Sequence, residues 1–318
     1  MRIRNLFGFL ALLIFTLWLY FVTIYNTYSS QWIFLTVFGF FIIGSFYAFY
    51  RVFKDETKGK NIKNVSLKTH GMDFLMVLFG AITTYIIHVY LDAGPVLSSG
   101  LVGILAGFFI KRYGVAIFCG SFVGMSSPLL LTFFPFVLAS LLASVIFVLA
   151  KDVYNGYGGK LGTTALSGAL ITAIVLGEAL ESPLPFTLNE QLMILGVSTI
   201  AAIITYSISI RLKQGPVIAS GLIGVVAGAL LPLISLFGVT LAIVAFGASF
   251  VGMSSQKRLY DERFIAVAGI LFGLIYIFSA PYFTGAGGKL GTIAFASTLS
   301  VGGIKMLYDK LPKKTQTC

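Results

Sequence analysis

Along the chain, long apolar stretches alternate with short connections that hold most of the charge. The stretches run 5–25, 31–52, 72–91, 94–110, 113–127 and 129–150 in the first half. In the second half they run 161–180, 191–210, 215–234, 236–254, 263–280 and 290–307. A helix needs about 20 apolar residues to cross the hydrocarbon of a bilayer, and charges are excluded from its centre. The pattern predicts an all-α polytopic membrane protein of about 12 transmembrane helices. Two stretches, 94–110 and 113–127, are short and glycine-rich, so a re-entrant hairpin is the alternative there. It would bury Lys111 and Arg112 at membrane depth, which costs several kcal/mol unless they are paired; spanning is the preferred reading. The first stretch follows Arg2 and Arg4 as a signal peptide would. Its apolar run is too long and no small-x-small cleavage site follows, so it reads as a retained helix.

Composition agrees. Hydrophobic residues make up 58% of the chain and charged residues 10%, against about a quarter charged in soluble domains. Twelve spans consume most of the 318 residues and leave no room for a soluble catalytic or DNA-binding domain. The excess of 22 Lys+Arg over 11 Asp+Glu therefore reads as topology and not as a nucleic-acid footprint. With a cytoplasmic N-terminus and one crossing per stretch, 21 of the 22 basic residues fall on the cytoplasmic side. Only Lys289 faces out. This positive-inside bias places both termini in the cytoplasm of a multi-pass protein of the plasma (inner) membrane.

The chain repeats itself. GPVLSSGLVGILAG at 94–107 recurs as GPVIASGLIGVVAG at 215–228, with nine of 14 residues identical. GSFVGMSS at 120–127 recurs as ASFVGMSS at 248–255, and YNGYGGKLGTTA at 154–165 as FTGAGGKLGTIA at 283–294. Three blocks in one order at near-constant offsets mark an internal duplication. The predicted division is an N-terminal hairpin and basic loop (1–70), a first membrane repeat (71–185) and a second with a basic tail (186–318). Each repeat holds five stretches, an odd number, so the second copy enters the membrane upside-down. Such 5+5 inverted-topology repeats place solute sites near the midplane, where short or glycine-interrupted segments of the halves meet. The first two helices are read as a peripheral addition.

The repeated blocks are then the candidate substrate-binding segments. Phe122, Gly124, Ser126 and Ser127, with Phe250, Gly252, Ser254 and Ser255, offer aromatic faces, close backbone and neutral hydroxyls. Gly159, Lys160 and Thr163, with Gly288, Lys289 and Thr292, put a lysine and a hydroxyl at a glycine-led helix start, a setting that attracts anions. These runs are not Walker A motifs, since no Ser/Thr directly follows the lysine. His88 is a proton-coupling candidate, because an imidazole titrates near neutrality. Two cysteines, Cys119 and Cys318, make no disulfide scaffold. Two histidines without C-x-x-C or H-E-x-x-H spacing give no zinc site.

The sequence thus points away from an enzyme and toward a secondary transporter or permease for a small polar, anionic solute, needing no cofactor. A passive channel for a small neutral solute, or a non-transport membrane scaffold, are the other readings. A small-molecule solute and the lipid bilayer are the implied partners; a homo-oligomer is compatible with this and a nucleic acid is not.

Overall fold

The computed structural model describes residues 3–27, 32–57, 67–179 and 185–310. Arg2, Lys58, Lys60, Lys63, Glu181, Lys313, Lys314 and Cys318 lie outside the described residues, as do residues 180–184 just ahead of the predicted boundary at 185/186. Every regular element among the described residues is a helix. The order is α1 (Ile3–Thr27), α2 (Trp32–Thr57), α3 (Leu67–Tyr85), α4 (Pro95–Phe109), α5 (Gly114–Gly124), α6 (Phe133–Ala150) and α7 (Lys160–Leu176). Then come α8 (Leu188–Tyr206), α9 (Pro216–Ile234), α10 (Gly238–Gly252), α11 (Glu262–Phe278) and α12 (Lys289–Tyr308).

The residues set these boundaries. Pro95 and Pro216 open α4 and α9 where the missing N–H is not needed. Thr187 and Glu190 form a capping box at the start of α8, and Asp261 caps α11 through the N–H groups of Arg263 and Phe264. Both α3 and α8 loosen into a π-helical turn, Ile86–Tyr90 and Ser207–Arg211, just ahead of the Gly-Pro pairs.

Seven helices (α1, α2, α3, α6, α8, α9 and α12) are long and apolar enough to cross a membrane. Large apolar side chains such as Phe21, Ile43, Phe79, Phe134, Ile200 and Leu233 face outward, whereas Ser98, Ser121, Thr163, Ser167, Ser249 and Thr298 are buried. That arrangement inverts the one water selects and matches helices that meet through small residues in lipid. This is a helical membrane protein.

The remaining five helices hold 15, 11, 17, 15 and 17 residues. The stretch 113–127 departs most from expectation: α5 rises only about 16 Å at 1.5 Å per residue, roughly half the hydrocarbon thickness. It stops at Gly124 because the following residues are committed elsewhere. Ser127 N–H donates to Gly285 O at 2.9 Å, and Ser126 Oγ accepts from Gly287 N–H at 3.1 Å. The matching block behaves alike: Ser255 N–H donates to Gly156 O at 2.9 Å and Ser254 Oγ accepts from Gly158 N–H at 3.1 Å.

Contacts between the repeats come in such reciprocal pairs. The first turns of α7 and α12 cross with Gly162 against Gly291, and α4 crosses α9 with Gly100 against Gly221 and Gly224. Inside each half the pairing also recurs: Ser99 and Ser121 share a hydrogen bond of 2.8 Å, and their counterparts Ser220 and Ser249 one of 2.6 Å. The N-terminal hairpin is not peripheral. The α2 helix packs backbone-close on α12 at Gly44 and Gly303. The buried Tyr20 hydroxyl of α1 meets Ser45 Oγ at 2.5 Å and donates to Ala296 O at 3.1 Å. At one end of the bundle Arg4 pairs with Asp152 and His70, Lys151 with Asp73, and Asn5 with Glu56.

Candidate solute-binding site

Two cavities lie where the halves meet, and part of their linings corresponds. The larger, about 450 Å³, is lined by Pro95, Met125, Ser127 and the turn Gly285–Leu290. The smaller, about 270 Å³, is lined by Pro216, Met253, Ser255 and the turn Gly156–Leu161. Each combines the Met-Ser-Ser block of one repeat with the Gly-Gly-Lys turn of the other. Phe122 and Phe250 belong to both linings and stand between them, ring centroids 4.6 Å apart. Phe118 and Phe246, one turn earlier on α5 and α10, complete a buried four-ring cluster, with centroids 4.5 Å from Phe122 and 4.8 Å from Phe250.

The Gly-Gly-Lys turns owe their shape to glycine. Gly159 and Gly288 precede α7 and α12 in the left-handed region, with φ of 82° and 95°, where a β-carbon is strained. A β-carbon on Gly158 would be driven into Phe250 O, and one on Gly287 into Phe122 O. Ahead of them the backbone is strained without glycine: Tyr154 and Phe283 hold φ of 53° and 56°, rare for aromatic side chains. Such outliers persist only where the surroundings impose them.

The lysines differ. Lys160 Nζ donates to Lys151 O at 2.8 Å, Val153 O at 2.6 Å and Asn155 Oδ1 at 3.2 Å, which uses all three ammonium protons. Among the described residues Lys289 Nζ donates to Ala280 O alone, at 3.0 Å, and it lines the larger cavity. His88 and Thr284 line that cavity too, and their Nδ1 and Oγ1 atoms are buried without a hydrogen-bond partner.

The other candidate residues separate into lining and framework. Ser127, Ser255, Gly159 and Gly288 line the cavities. Ser126 and Ser254 instead cap the glycine turns, so the N–H groups of Gly158 and Gly287 are not free for a ligand. Thr163 and Thr292 donate back to Gly159 O and Gly288 O at 3.5 and 3.3 Å and line neither cavity. Gly124 and Gly252 are packing seams, pressed on Ala81 O and Ala202 O of α3 and α8. Sequence reasoning missed Phe118 and Phe246, which lie outside or at the edge of the most similar blocks, and Phe186, Tyr276 and Phe283, which line the larger cavity without matching partners.

Comparisons of the chain with models of protein families, with curated proteins and with solved structures found no match.

Proposed function

We propose that the protein is a secondary transporter of a small polar, anionic solute, built from two inverted repeats that present the site alternately to either side. The observation that carries this reading is the pair of corresponding cavities divided by Phe122 and Phe250. A carrier needs two access routes that are never joined, and inverted repeats make the two routes exchangeable. The inequality of the cavities fits one state of such a cycle: the Lys289 side wider, the Lys160 side narrower with its lysine drawn onto its own loop carbonyls. With the positive-inside bias, the Lys289 cavity faces out and the Lys160 cavity faces the cytoplasm of a plasma-membrane protein. The solute and the bilayer are its partners, and no bond is made or broken.

The scarcity of charge in the lining also suits a passive channel for a neutral solute, but the aromatic barrier between the cavities counts against a continuous pore. Proteoliposomes holding the full chain decide. A carrier gives saturable uptake of radiolabelled phenylacetate, accelerated by unlabelled phenylacetate on the opposite side. Linear, unaccelerated flux of urea would establish the channel instead. Cysteines at positions 160 and 289, in a background without native thiols, should label from opposite faces; labelling of both from one face would refute the inverted arrangement.

A further inference from the structure

We infer that the larger cavity is a binding site for a small organic monoanion, a carboxylate on an apolar or aromatic body, with Lys289 as its counter-ion. This rests on the transporter reading for its role but not for its chemistry. A lysine in a low-dielectric site is strongly disfavoured unless its charge is met. Among the described residues Lys289 has no such partner: it takes part in none of their ion pairs, none of their carboxylates lines the cavity, and only one of its three protons is committed to them. Its position at the start of the 20-residue α12 adds the positive end of the helix dipole in the same direction. Among the described residues, two of the buried side-chain atoms without partners, His88 Nδ1 and Thr284 Oγ1, belong to residues in the wall of this cavity, and one, Tyr157 Oη, to a residue in the wall of the smaller. One reorientation of the His88 or the Thr284 side chain would bring a second donor to a bound anion.

The count of charges fixes the valence. One lysine neutralises one negative charge, and a phosphate or sulfate dianion would need several charge-assisted donors that this wall lacks. The rest of the lining fixes the body. Phe122, Phe186, Phe250, Tyr276, Phe283 and Met125 surround the space, a surface that rewards apolar contact and does not replace the water shell of an inorganic ion. At about 450 Å³ the cavity is at the small end of the range for organic ligands. The Lys160 cavity offers no such site in this state, because its lysine is satisfied by the chain itself.

Trp18 supplies the reporter, its ring 5.2 Å from that of Phe283 in an edge-on contact. Purified full chain in detergent is titrated with phenylacetate, phenylacetamide, chloride and inorganic phosphate while tryptophan emission is followed. Phenylacetate should saturate the signal, with the amide at least about 10-fold weaker, the difference expected for one charge-assisted contact. Lys289→Gln should lose phenylacetate by about 10-fold or more, Lys289→Arg should retain part of it, and Lys257→Gln on an exposed turn should leave it unchanged. Equal affinity for acid and amide, an unaltered Lys289→Gln, displacement of phenylacetate by millimolar chloride or phosphate, or no binding of any probe would each overturn the inference. Should Lys289→Gln not fold, the acid–amide comparison on the unaltered chain decides alone. Binding without flux in proteoliposomes would end the transport reading and leave this one standing; urea flux without phenylacetate binding would do the reverse.

Discussion

Lys160 and Lys289 begin α7 and α12 in nearly identical motifs, yet one is held by three acceptors and the other by one. Removing them should have opposite consequences for stability. Lys160→Met strips three acceptors of their donor in a partly buried loop, and unmade hydrogen bonds of this kind cost about 1–3 kcal/mol. Lys289→Met removes an ammonium that no described carboxylate in its cavity compensates, which is neutral or stabilising once the charge no longer has to be buried. Thermal unfolding of the purified protein should place Lys160→Met below the unaltered chain and Lys289→Met at or above it. Equal losses would mean that both lysines serve only to anchor their turns. The sequence carries one part of this difference, Asn155 where the second copy has Thr284. Gly-Gly-Lys-Leu-Gly-Thr reads the same in both copies, and the other two acceptors are backbone carbonyls nine and seven residues upstream, whose direction depends on the loop.

At the scale of elements, apolar stretches gave the helices and glycine blocks gave their crossings, because both signals are local. The places where the stretches overstated the helices are those where a distant partner takes over the backbone. The N–H of Ser127 is claimed by Gly285 and that of Ser255 by Gly156, far away along the chain, so α5 and α10 end early. No hydropathy window contains that information. The N-terminal hairpin, rich in Phe and Tyr, reads as peripheral for a related reason: nothing local in it marks Gly44 and Tyr20, which bind it to α12. A side chain at Gly303 would be driven into the carbonyl of Gly44, and close-packed crossings of this type do not absorb extra volume. Gly303→Val should therefore detach α2 and reduce the yield of monodisperse protein. Tyr20→Phe should cost only about 1 kcal/mol, since Ser45 and Ser300 still bond each other at 2.8 Å. If Gly303→Val purifies and unfolds like the unaltered chain, the hairpin is not held by this seam.

For the whole molecule the decisive structure is the ring cluster of Phe118, Phe122, Phe246 and Phe250, because two of its members, Phe122 and Phe250, are the only described residues that line both cavities. Two residues of the cluster come from each repeat, so its integrity depends on the halves being docked, and relative movement of the halves must repack it. A carrier requires that the barrier be complete in every state and that it shift; a channel requires only that it open. Replacing both Phe122 and Phe250 by alanine removes two buried rings at the contact between the cavities. Where the surroundings cannot collapse, a void remains, and here it would join a space of about 450 Å³ to one of about 270 Å³. The double variant should then pass urea through proteoliposomes at a rate linear in concentration while the unaltered chain does not. Saturable uptake of phenylacetate should be lost in the same preparation, since a site open to both sides cannot hold a gradient. Either single replacement leaves one ring in place and should retain the barrier with a weakened seal. If the double variant remains saturable and tight to urea, the rings are ordinary packing and the path of the solute runs elsewhere.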